Sequence, residues 1–199
     1  IMRTLRKINP AFGDLSCRTT FIASSIVSRG VDDNRLSLKN IIMISLLHLA
    51  GDYHFFGENK VTHESLTSKE INRDYLYAYH YLKTMTPLGE IAKFALFYDT
   101  KYNPEVAQKV SQIEYASVVF ASEKIAQLIK MRGTDYTAED LERLGLEKYN
   151  CKYTDIFKRL DSDRHISSAF TDDTYLSKLE ELFMTIEFTN EETFLLIKL

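Results

Sequence analysis

"LSLKNIIMISLLHLAG", Leu36 to Gly51, decides the fold class. From Leu38 to Ala50 its polar residues are Lys39, Asn40, Ser45 and His48 alone. The apolar residues do not alternate, as they would on a half-buried strand; they fall on every side of a 3.6-residue helix. Such a helix is buried all round, so other elements must surround it. Gly51 closes it.

The neighbouring segments read the same way. On its N-terminal side, "LSCRTTFIASSIVSRG" sets Phe21, Ile22 and Ile26 at helical spacing and stops at Gly30, a C-cap residue. On its C-terminal side, "EINRDYLYAYHYLKTM" is an aromatic-rich helix that ends before Pro87. "TPLGEIAKFALFYD" follows, with Thr86 as N-cap and Pro87 at the first helical position. The longest helix repeats that grammar in "NPEVAQKVSQIEYASVVFASEKIAQLIKMRG", capped by Asn103 and closed by Gly133, and is expected to cross the core. "YTAEDLERLG" pairs Thr137 with Asp140, a variant of the capping box. Two further helices are expected near Thr154–Leu160 and Asp172–Glu187. "GENKVTHESLTSKE" is a polar loop. With only 7 Gly and 3 Pro and little strand-like alternation, the expected fold is all-α, a compact bundle of about eight or nine helices.

Bulk properties narrow the function classes. The 199 residues suit one domain with a real core. Net charge is −3 and the pI about 6.0, with no Lys/Arg run to attract nucleic acid or an anionic membrane. No apolar run approaches the roughly 20 residues of a membrane span, and no leader pattern opens the chain. Cys17 and Cys151 share no metal-type spacing, so a reducing cytoplasm is the expected compartment. The helix expected from Thr189, with Glu192 completing its capping box, is still apolar at Leu199. Residues 1–187 therefore read as one helical domain, and 188–199 as the start of a helix connecting it to a following domain.

The residues that carry chemistry are His48, Asp52, His54, His63, Asp74, His80 and Asp99. Imidazole and carboxylate groups converging from several helices suit Fe, Mn or Zn, and such a metal activates water near neutral pH. No local ligand motif such as H-E-x-x-H accompanies them. No Ser-His-Asp, Cys-His or phosphate-loop arrangement is present, and "GTDYTAEDLERLG" lacks the order of a calcium loop.

Three segments, "LKNIIMISLLHLAGDYH", "YLYAYHYLKTMTPLGEIAKFALFYD" and "KVSQIEYASVVFASEKI", resemble the HD superfamily of metal-dependent phosphohydrolases. The resemblance spans roughly Asp14 to Lys130 and is nearest the HD-GYP-like branch of bacterial cyclic-di-GMP signalling. It implies an HD-type bundle, and it implies where ligands should stand. The family's HD histidine survives as His48, but Leu49 replaces its aspartate. An early family histidine falls at Leu15, another at Asp74, a histidine pair at about Tyr98 and Asp99, and a ligand aspartate at Ser117. The G-x-G-Y-P signature is missing; Asn103 and Pro104 stand there.

Leucine offers no lone pair, and a serine is a poor ligand for a hard divalent metal. The resemblance therefore implies an erased site: no catalytic residue, no metal, no cofactor, and a remnant cleft lined by His48, Asp52, Asp74, Tyr98 and Asp99. On its own residues, His48 reads as a buried histidine bonded to a neighbouring helix. His80 among Tyr75, Tyr77, Tyr79 and Tyr81 reads as interhelical packing, with base stacking as the sharper alternative. Arg18 reads as an ion-pair residue, and His63 and His165 as loop residues.

The expected role is a non-catalytic signalling domain, sensory or regulatory towards a neighbouring output domain of the same chain. A homodimer and a nucleotide ligand are the other partners considered. The alternatives are a phosphohydrolase of cyclic dinucleotides with a rebuilt divalent-metal site, and a module that binds a nucleotide or other small ligand without cleaving it.

Overall fold

The computed structural model describes residues 10–30, 37–48, 110–145, 151–190 and 193. Among them lie seven helices and no strand, in agreement with an all-α chain. The two helices expected between Glu70 and Asp99 fall outside the described residues.

The first helix, α1 (Pro10–Gly30), starts earlier than the expected Leu15. Its buried face mixes Phe21, Ile22 and Ile26 with small hydroxyl residues. Those hydroxyls fold back onto their own helix: Thr20 Oγ1 donates to Ser16 O at 2.7 Å and Ser25 Oγ to Phe21 O at 2.8 Å. This back-bonding lets a helix bury polar side chains against its neighbours.

The all-apolar segment forms α2 (Leu38–Leu47), with Ile41 through Leu47 all buried. Ser37 caps it in an extended conformation, its side chain accepting from Asn40 N. The Ser37 N–H donates to Tyr115 Oη at 2.6 Å, which ties the start of α2 to α3 (Val110–Arg132). Gly133 ends α3 as expected. Its φ of +62° is the left-handed conformation, and its N–H donates to Ile129 O at 2.7 Å. Helices α1, α2 and α3 pack on one another, and their shared core includes Ile22, Ile26, Ile41, Val118, Val119 and Ile125.

The second half of the chain braces this trio. α4 (Ala138–Gly145) opens on the expected cap, and the cap is reciprocal. Asp140 N donates to Thr137 Oγ1 at 3.2 Å, while the Asp140 carboxylate accepts from Thr137 N at 2.8 Å. The backbone bond from Thr137, then its hydroxyl bond, holds the Asp140 carboxyl below its ordinary pKa. A carboxyl lowered in the folded state stabilises above its unfolded pKa of about 3.9, and that contribution disappears as pH falls through the lowered value. Asp140→Asn is therefore expected to lower the urea midpoint above about pH 4, with the gap to wild type closing as pH falls below about 4, so that the variant shows the shallower acid limb.

α5 (Cys151–Leu160) lies across the end of α1, where Gly30 permits the approach. A Cβ added at Gly30 would overlap Ile156 Cγ2 and stand 3.3 Å from Leu160 Cδ1. Gly30→Ala is expected to cost about 1–3 kcal/mol by overpacking. In the Ile156→Ala background, which removes that methyl, the same change is expected to cost little. Urea unfolding of the four variants in this cycle checks both statements.

α6 (His165–Ser168) and α7 (Thr174–Met184) complete the described helices. α6 corrects the loop expected at His165, although the His165 side chain is solvent-exposed and pairs with Asp163 at 3.1 Å. α7 is tied to the start of α1. Tyr175 Oη donates to Asp14 Oδ1 at 2.8 Å, and Arg18 Nε donates to Asp14 Oδ2 at 2.8 Å. The Arg18 guanidinium also sits 5.0 Å from the Phe170 ring centre and 5.3 Å from that of Tyr175. Arg18 is thus the ion-pair residue expected. After α7, the Thr193 N–H donates to Thr189 O at 2.8 Å, so a helical turn opens where the second capping box stands. Residues 194–199 lie outside the description.

Candidate functional site

His48 is the one candidate from the sequence that the described residues contain; Asp52, Asp74, Tyr98 and Asp99 lie outside them, as do Leu49, His54, His63 and His80. His48 is the C-cap of α2, with helical backbone angles, so the ring is placed by a helix and not by a loop. It is 3% exposed. Its Nδ1 lies 2.6 Å from Ser45 O, one turn back. A carbonyl oxygen only accepts, so Nδ1 carries a proton and donates. Ser45 is held in turn by its own hydroxyl, which donates to Ile41 O at 2.6 Å.

With Nδ1 committed, the ring presents Nε2 to α3. There it meets Glu123, whose Oε2 is 3.5 Å away. Glu123 is 2% exposed, and its Oε1 accepts from Gln127 Nε2 at 2.7 Å. A carboxylate and an imidazole thus face each other inside the core, within ion-pair range but at the long limit for a hydrogen bond.

The reading of the residues anticipated a buried His48 bonded to another helix, and missed Glu123. Two signals were available. Val119, Glu123 and Ala126 share the i, i+4, i+7 spacing of one helix face, and all three are buried. A lone carboxylate on such a face needs a partner. Ser117, where the resemblance placed a ligand aspartate, lies six residues before Glu123, about 9 Å along the axis and on a different side of α3. Leu15, where it placed an early histidine, is part of the hydrophobic core.

The fit to a metal can be tested on these donors. A binuclear centre needs several imidazole and carboxylate groups converging on one point. Among the described residues, no group of three or more His, Cys, Asp or Glu could hold a metal ion. His48 and Glu123 alone fall short of such a donor set. Among the described residues, too, no helix is long and apolar enough to cross a membrane.

No protein-family model matches the chain, and no curated protein or solved structure matches it.

Proposed function

We propose that the chain is a non-catalytic signalling domain of the HD-GYP-like type, acting on a neighbouring output domain rather than on a substrate. The observation that carries this reading is the packing of His48. The histidine at the family's ligand position is buried against Glu123, a residue outside the family pattern, with its other nitrogen bonded to Ser45 O. Two further ligand positions point the same way, since Leu15 is core and Ser117 has no carboxylate. In this reading the bundle has an HD-type arrangement and works in a bacterial cytoplasm. The helix opening near Thr189 leads towards the output domain, and pairing of two copies is one way to pass the signal on.

Metal content and turnover test it together. Purified protein is expected to hold far less than one Fe, Mn or Zn per chain and to leave cyclic-di-GMP uncleaved. About two metals per chain, lost on His48→Ala, with turnover abolished by Asp52→Ala or Asp99→Ala, would establish a rebuilt hydrolase site instead. A rise in melting temperature with a cyclic dinucleotide, in protein free of metal and of turnover, would point to a binding module.

A further inference from the structure

We draw no further inference here: the strongest candidate, the buried His48–Glu123 pair between the end of α2 and the middle of α3, belongs to the site already described and brings together only two donors among the described residues.

Discussion

Asp161→Ala is expected to lower the unfolding free energy by about 4 kcal/mol, and Asp161→Asn by about half of that. Asp161 opens the turn that follows α5 and is buried. One carboxylate oxygen accepts from Ile166 N at 2.7 Å and from Ser167 N at 3.1 Å, which satisfies the start of α6. The other accepts from the hydroxyl of Tyr136, which precedes α4. Burial first, and the bond to Asp161 second, raise the Tyr136 phenol well above its ordinary pKa, so it remains a donor at any pH used for folding measurements. Alanine strands three buried donors at once, each worth about 1–3 kcal/mol when left unmade, less whatever relaxation recovers. Asparagine keeps an oxygen for the two N–H groups and lets the phenol turn to donate elsewhere or accept, which is why its penalty is smaller. Tyr136→Phe is expected to cost about 1–2 kcal/mol, and its effect should nearly vanish in the Asp161→Ala background. Urea unfolding of the four variants measures this. Equal penalties for alanine and asparagine would show that the carboxylate does not organise the turn.

The same node explains part of what the sequence does not reveal. Arg164 has a φ of 65°, the left-handed region that an arginine enters at a cost of about 1–2 kcal/mol. It is held there because its Nη2 donates to Tyr136 O at 2.8 Å and its guanidinium lies 3.9 Å from the centre of the Tyr136 ring. These contacts join residues 28 positions apart. No local periodicity encodes them, so a loop was the natural expectation at His165 where a short helix exists. The helices that were legible share a different origin. α2 announces itself by unbroken apolar character, α3 by length and its closing Gly133, and α4 by the Thr137–Asp140 box. Each is a local signal that tertiary packing then reinforces. The site was legible only in part. His48 on an apolar helix had to be buried, and so it is; its hydrogen bond goes back to Ser45 O of its own helix, and what faces it from the neighbouring helix is the Glu123 carboxylate at 3.5 Å. Its partner across the helix interface could have been found on the α3 face but not paired with His48, because pairing depends on how two helices are rotated against each other.

Replacing Glu123 alone by leucine is expected to destabilise the chain by about 3–5 kcal/mol, and replacing His48 alone by leucine is expected to do likewise. Two opposed terms set this size. At 3.5 Å the gross attraction between full charges is about 5 kcal/mol for an effective dielectric of 20. Taking each ion out of water costs several kcal/mol, so the intact pair is close to neutral for stability. Attraction also requires a proton between Nε2 and Oε2, because Nδ1 is already donating to Ser45 O. Once one member is gone, the other keeps its desolvation penalty without that compensation. The double variant, His48→Leu with Glu123→Leu, removes both penalties and is therefore expected to cost less than the two single changes added together, with a coupling of about 2 kcal/mol or more. Urea unfolding with and without a strong chelator separates this pair from a metal site. A pair that holds the core together gives penalties that the chelator leaves unchanged. If His48 and Glu123 instead shared a bound cation, the chelator would destabilise the wild type, and once stripped of metal it would unfold close to the single variants.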